Sequence, residues 1–264
     1  MARYDFRTPR LYLDAPLAAG SAVELDRDQT NYLLNVLRLK RGDNLLLFNG
    51  RDGEWTGRLA GAGKRAVLAD VREQTRAQPS ACDLHFLFAP LKHARLDYLV
   101  QKAVELGVSR LQPVITQHTQ VARINLDRMR ANTIEAAQQC GVLTLPEIAP
   151  PAAFKTLVAT TDADRLLVFC DEDAELAGPV AALAAARPSS GQALLPAETA
   201  RTGLPIAVLI GPEGGFSEDE RAALLERPNV VRLALGPRIL RADTAAVAAL
   251  ALVQAVLGDW SAAT

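Results

Sequence analysis

The stretch AVLIGPEGGFSEDE, residues 207 to 220, decides the reading of this chain. Its apolar run ends in Gly211-Pro212-Glu213-Gly214-Gly215. Ser217 and Glu220 then stand three apart, the spacing of a capping box that opens a helix. A buried strand therefore ends in a glycine loop that starts a helix, a usual place for a ligand in α/β proteins. Gly211 and Gly214 permit backbone shapes and close approaches that a side chain forbids. The loop has no G-x-G-x-x-G pattern and no lysine for a phosphate. Glu213 instead sets a carboxylate there, which suits a cationic or hydroxyl-rich ligand. Taken alone, the loop is equally compatible with a plain strand-to-helix turn.

The pattern recurs one helix later, in VVRLALGPRILRADTAAVAAL (230–250). A second apolar strand ends at Leu235-Gly236-Pro237. Arg238, Ile239, Leu240 and Arg241 follow, and a helix starts near Asp243-Thr244. Two glycine-bearing strand ends, one helix apart, can form two walls of a single crevice. A flat apolar ring fits against Pro237 and Ile239, read by backbone groups. Arg238 and Arg241 suit an anionic group, either an RNA phosphate or a base oxygen. Asp243 is a second candidate base or a cap of the last helix.

Around these motifs the chain divides in two. Residues 1–76 hold short strands (LYL, AVEL, the NLLLFNGRDGEWTGRLAG hairpin, RAVLADV) around one helix, DRDQTNYLLNVLRL, with Asp26 as its cap. That pattern predicts a small β-barrel. REQTRAQPSA, polar and containing Pro79, marks the boundary. Residues 77–264 alternate strand and helix, which predicts a mostly parallel sheet with helices on both faces. Residues 185–203 are rich in Pro, Ser, Gly and Ala and read as a surface loop. In the last helix only Gln254 is polar between Ala245 and Leu257. Such a helix is buried on all sides, in its own core or, the favoured reading, against a second copy.

Bulk properties exclude more than they identify. A net charge of −1 announces no partner. Residues 1–78 nevertheless carry 13 Lys or Arg against 10 Asp or Glu, while residues 161–264 carry 8 against 14, so the basic residues lean N-terminal. Arg7, Arg10, Arg38, Lys40 and Arg41 stand in the N-terminal stretch, each on its own more often a solvated surface charge. Cys82, Cys140 and Cys170 form no disulfide framework or zinc pattern, and His85, His93 and His118 have no metal-ligand spacing, so no metal is expected. With neither a signal peptide nor a membrane span in sight, a soluble cytoplasmic protein is expected. GRLAGAGKR, around residue 60, imitates a phosphate loop but has Arg65 where Ser or Thr belongs, and reads as a turn between strands.

LIGPEGGFSEDE and LALGPRILRADTA together resemble the signature of the SPOUT, or α/β-knot, methyltransferases. NYLLNVLRLKRGD (31–43), LVQKAVELGV (99–108) and IEAAQQCGVLTLPEI (134–148) extend the likeness over nearly the whole chain. The closer resemblance is to the ribosomal RNA uridine N3-methyltransferases of the RsmE family. It implies an α/β SPOUT domain with a C-terminal trefoil knot (77–264), preceded by a small PUA-like β-barrel (1–76) that grips RNA, with Arg7, Arg10, Arg38, Lys40 and Arg41 as the candidates for its phosphate contacts. It also implies a homodimer through the final helix, acting on one uridine of 16S rRNA in the small ribosomal subunit. S-adenosyl-L-methionine would be held by Ile210, Gly211, Glu213, Gly214, Leu235, Gly236, Ile239, Leu240, Arg241 and Thr244. Arg241 and Glu213 are the candidate catalytic residues. Two positions depart from the family pattern: Asp243 stands where Glu is usual, and Val142 where Arg is frequent. The rival readings are another SPOUT-type RNA methyltransferase, a knotted RNA-binding dimer without activity, and a nucleotide-binding oxidoreductase. The missing G-x-G-x-x-G counts against the last.

Overall fold

The computed structural model describes residues 5, 7–61, 68–92, 94–121, 123–175, 178–186 and 201–260. The lysine-bearing end of GRLAGAGKR and residues 187–200 of the expected surface loop lie outside the described residues. The chain forms two compact units, Met1–Pro79 with Ala137–Leu145, and Ser80–Ala136 with Pro146–Thr264.

The first unit carries β1 (Arg10–Tyr12), β2 (Ala22–Glu24), α1 (Arg27–Asn31), β3 (Asn44–Phe48), β4 (Glu54–Ala60) and β5 (Leu68–Arg76). Its sheet runs β1-β3-β4-β5-β2; β1 pairs β3 in parallel and the other pairs are antiparallel. Alternate residues of β3, Leu45 and Leu47, meet Leu11, Leu33, Leu59 and Val71 in one apolar core. Asn49 shapes the β3–β4 turn, its Oδ1 accepting from the N–H of Arg51 (3.0 Å) and Asp52 (2.8 Å). Asp26 caps α1 in a full capping box with Gln29. The expected long helix is cut short: α1 passes into a π-helical turn, Tyr32–Val36, and the chain leaves it where Arg38 adopts φ +56°.

Arg10 does not meet the expectation of a phosphate contact. It enters β1 pointing inward, and its side chain is 4% exposed. Its Nε donates to Glu54 Oε2 at 2.7 Å, and its other nitrogens donate to the carbonyls of Gln138 and Asp5. Arg76 and Thr75 donate to the same carboxylate. Burial pushes the Glu54 carboxyl up, but hydrogen bonds from Arg76, Arg10 and Thr75 outweigh it and hold the group below its ordinary value of 4.5. The lowered value means that the pairing stabilises fully above that pH and is lost as pH falls through the folded-state value. Glu54→Gln should therefore cost the first unit about 3 kcal/mol at neutral pH, because Arg10 is left buried without its counter-ion. Urea unfolding followed by Trp55 fluorescence checks this at pH 7 and in acid, where variant and wild type should converge. Equal stability at pH 7 would remove the role.

The second unit carries β6 (Ala81–Phe88), α2 (Ala94–Glu105), β7 (Arg110–Ile115), α3 (Leu126–Cys140), β8 (Glu147–Ile148), β9 (Ala152–Ala153), α4 (Phe154–Thr160), β10 (Leu166–Cys170), α5 (Pro179–Ala185), β11 (Arg201–Ile210), α6 (Glu218–Leu225), β12 (Val230–Leu233) and α7 (Ala242–Val256). The last residues of α3 group with the first unit. The strand order is β12-β10-β11-β6-β7-β8, with β9 also pairing β7, and every pairing is parallel. Phe86, Phe88, Val168 and Val208 face α2, α5 and α7 on one side. Leu87, Phe169, Ala207 and Leu209 face α4 and α6 on the other. Burial on both faces is why β10 and β11 read as unbroken apolar runs.

Helix α7 buries Ala246, Ala249, Leu250 and Val253 within this unit. Its polar residue, Gln254, is fully buried too: Nε2 donates to the Leu106 carbonyl at 2.6 Å and Oε1 accepts from Asp259 N–H at 3.1 Å. A buried amide needs such partners. Ala248, Ala251, Leu252 and Ala255, on other faces of the helix, keep partial or full exposure. Among the described residues no helix is long and apolar enough to cross a membrane.

Candidate functional site at the ends of three parallel strands

The sheet order puts β10 between the two strands that end in glycine loops. Cys170 is in register with Ile210 of β11 on one side and Leu233 of β12 on the other. The loops thus leave the sheet on either side of the next residue, Asp171. Its side chain is 0% exposed and accepts from Arg221 Nε at 3.1 Å and Arg232 Nε at 2.7 Å. Arg221 lies on α6, just after the first loop, and Arg232 on β12, just before the second. One buried carboxylate therefore fixes the roots of both. Arg221 Nη2 also reaches Glu172 and Asp173, each at 2.9 Å, and so lies among three carboxylates that converge closely enough to hold a cation. Burial, with the Asp171 charge beside it, pushes the Cys170 thiol up to about 12, so it stays protonated near neutral pH.

The first loop is packed as a bare backbone. The Phe216 ring lies over Gly211, where an added Cβ would come within 3.0 Å of it. Phe216 anchors the loop in the core against Phe169 and Phe154. A Cβ on Gly214 would meet the His118 Cβ at 3.1 Å. Gly215 has φ +67°, and a Cβ there would collide with Glu172 Oε1. His118 Nδ1 sits 3.0 Å from the Gly214 carbonyl and 3.2 Å from that of Gly215. Carbonyls only accept, so this nitrogen carries the proton. Ser217 and Glu220 form the expected capping box, and the second Glu220 oxygen accepts from Gln117 N–H at 2.9 Å. Glu213 is exposed and pairs with Arg95 Nη1 at 3.4 Å, a solvent-facing pair that is readily exchanged.

The second loop stays open. Gly236 has φ +110°, and a Cβ on it would meet no atom within 4 Å. Ile239 is 94% exposed, and Arg238 and Arg241 are exposed beside it. Leu235 and Leu240 are half-buried. The backbone of Arg241 caps α7, and Thr244 is exposed in the first turn. Asp243 does not cap the helix: it lies inside the first turn, where its Oδ1 accepts from Thr244 N–H at 2.9 Å.

The other basic candidates lie in the first unit. Arg38, Lys40 and Arg41 are exposed on a turn closed by Lys40 N–H to Asp43 Oδ2 at 2.7 Å and Asp43 N–H to the Lys40 carbonyl at 3.0 Å. Arg7 is exposed nearer the N-terminus. Arg38 is the single non-glycine residue with positive φ among the described residues. Arg38→Gly should relieve about 1–2 kcal/mol of left-handed strain and give back up to about 1 kcal/mol in unfolded-chain entropy. A net gain of roughly 0.5 kcal/mol in urea unfolding is expected; a loss would mean that the arginine side chain holds the turn.

Residues 78–254 match the RNA methyltransferase domain family, and residues 25–72 match the RNA methyltransferase PUA domain family. The ribosomal RNA small subunit methyltransferase E of Rickettsia conorii is 30% identical over 246 residues, covering 93% of this chain and 94% of its own. The chain belongs to the ribosomal RNA small subunit methyltransferase E family. The methyltransferase E of Neisseria gonorrhoeae, solved with S-adenosylmethionine bound, is 30% identical with a TM-score of 0.76, covering 94% of this chain and 97% of its own. A Legionella pneumophila structure, also with S-adenosylmethionine bound, is 28% identical with a TM-score of 0.75, covering 94% and 98%.

The residues expected to hold a cofactor fall on the two loops flanking β10 and at their ends, with Ile210 closing β11 and Thr244 in the first turn of α7. The positive-φ positions are Gly215 and Gly236, whereas Gly211 and Gly214 serve close packing. Asp171, Arg221, Arg232 and His118 escaped the sequence reading. The acidic run after RLLVFC was visible, but only the strand order brings it between the loops.

Proposed function

We propose that this protein methylates N3 of one uridine in small-subunit ribosomal RNA, using S-adenosylmethionine and acting as a homodimer. The observation that carries the reading is the pair of bare-backbone loops on either side of β10, one bearing Glu213 and the other the exposed Ile239. The residues fit the cofactor. At Gly236 a side chain would enter open space rather than protein, which leaves a cradle for a nucleoside. Ile239 and Leu240 offer apolar surface for a flat ring, and the backbone of Ile210, Gly211, Leu235 and Gly236 offers groups to read its edge. The Glu213 carboxylate suits ribose hydroxyls and a cationic centre. S-adenosylmethionine, when bound, supplies a methyl group activated by a positively charged sulfur.

Uracil N3 is a weak acid that must lose its proton to attack. The exposed guanidinium groups of Arg241 and Arg238 stabilise the negative charge that develops on the base. The exposed cations Arg38, Lys40, Arg41 and Arg7 of the first unit act on phosphates without reading bases. The partly exposed small apolar residues of α7 support a dimer through that helix. The strand order supports a knot: β11 and β12 lie on opposite sides of β10, so the chain crosses the β10 exit between them. Cytoplasmic action follows from a ribosomal substrate.

The reading is tested with labelled S-adenosylmethionine, purified protein and small subunits lacking the modification. Label in the RNA is expected. Tight cofactor binding with no label in any RNA would favour the knotted RNA-binding dimer without activity.

A further inference from the structure

A cavity of about 470 Å³ opens in the second unit, next to the first glycine loop. It lies between the segment that leaves β6 and the segment that leaves β7. Three ties place it beside the loop: Ala89 N–H donates to the Ile210 carbonyl at 2.9 Å, Arg95 pairs with Glu213, and His118 bonds to Gly214 and Gly215. Its lining is of two kinds. Leu91, Leu96 and Met129 are buried apolar side chains, while Lys92, Gln120 and Arg123 are exposed polar ones. Among the described residues no hydrogen bond or ion pair engages the side chains of these last three. On another wall Arg128 donates two hydrogen bonds to Asp97, at 2.9 and 2.5 Å, and Asn132 adds a third at 2.7 Å, so this carboxylate is already engaged.

We infer that this cavity seats one unstacked nucleotide of the RNA substrate, its base against Leu91, Leu96 and Met129 and its phosphate on Lys92 and Arg123. The inference rests on the RNA methyltransferase reading and deepens it. An enzyme acting on a base must take nucleotides out of the stack and hold them beside the donor site. The volume lies in the range of small-ligand pockets. The apolar surface takes a flat ring, Gln120 offers donors and acceptors to a base edge, and the cations take the anionic backbone. A cofactor is not the expected occupant, because the lining comes from the segments that follow β6 and β7 and from α3, and neither glycine loop contributes to it.

The test is photocrosslinking of a small-subunit ribosomal RNA transcript carrying 4-thiouridine to the wild-type protein, with the crosslinked peptides mapped by mass spectrometry. Crosslinks within residues 91–97 or 120–129 are expected. Beside it, Lys92→Ala with Arg123→Ala should weaken RNA binding by about tenfold and make the dependence of log affinity on log salt shallower by roughly 0.7, for the one phosphate released. Val121→Trp, which fills the cavity while leaving every charge in place, should cut transfer per RNA encounter by a similar factor. Affinity for S-adenosylmethionine should stay within about twofold in both. If wild type methylates RNA, yet crosslinks fall only elsewhere, the double variant binds RNA like wild type and Val121→Trp transfers methyl groups like wild type, the cavity is not a nucleotide seat. If wild type binds S-adenosylmethionine but no RNA, the substrate reading and the inference fall together. If it binds neither, the methyltransferase reading itself fails.

Discussion

Asp171→Ala should cost the second unit about 3 kcal/mol and lower its affinity for S-adenosylmethionine by more than tenfold. The carboxylate is fully buried, and its two partners, Arg221 and Arg232, are only 19% and 31% exposed. Removing it leaves the partly desolvated Arg232 without the carboxylate it pairs with and takes from Arg221 its buried partner, leaving that arginine only the more exposed Glu172 and Asp173, the costly way to break a buried pair. Their residual exposure puts the loss at the lower end of the usual range. The effect on binding has a separate cause. Arg221 roots the helix that follows the first loop and Arg232 the strand that precedes the second, so their release loosens both walls together. Asp171→Asn keeps the shape and one acceptor, and should fall between wild type and Asp171→Ala on both measures. Thermal unfolding gives the first quantity; calorimetry with S-adenosylmethionine, well below the variant's midpoint, gives the second. An Asp171→Ala protein with wild-type affinity would show that the loops hold their shape without this anchor.

Gly214→Val should abolish measurable cofactor binding while leaving the protein folded. Even a bare Cβ would stand 3.1 Å from the His118 Cβ, and valine adds two methyl groups beyond it. His118 must then move, and its bonds to the Gly214 and Gly215 carbonyls are lost with it. The loop shifts relative to Phe216, whose ring keeps Gly211 bare. Gly214 is exposed and outside the apolar clusters, so the core should tolerate the change. Far-ultraviolet circular dichroism checks folding and calorimetry checks binding. Normal affinity would move the cofactor away from this loop. The contrast with Asp171→Ala is informative, because one variant loses binding with stability and the other without it.

Much of this architecture is legible in the chain because the local signals agree. Apolar runs with capping residues after them gave the strands and helices around both glycine loops, and Ser217 with Glu220 caps α6 as their spacing requires. Helices α4 and α5 went unseen because each spans only seven residues, too short for a period to emerge. Arg10 was misread for a different reason. An arginine two residues from a solvent-facing turn reads like a surface cation, and nothing local reveals that Glu54, forty-four positions on, waits inside to receive it. Gln254 hid its role in the same way, since its partner is the carbonyl of Leu106 on a distant helix end. At the site, the loops were visible as sequence while their anchor was not. Asp171 matters because β10 is threaded between β11 and β12, and strand order is a property of the whole chain.

The methyl group is expected on N3 of a uridine. Small subunits lacking the modification are incubated with the protein and labelled S-adenosylmethionine, the RNA is digested to nucleosides, and the labelled nucleoside is identified by mass spectrometry against authentic standards. N3-methyluridine as the sole labelled product is the expected result. Label on a ribose 2′-oxygen, or on any base other than uracil, would rule out uridine N3 as the acceptor.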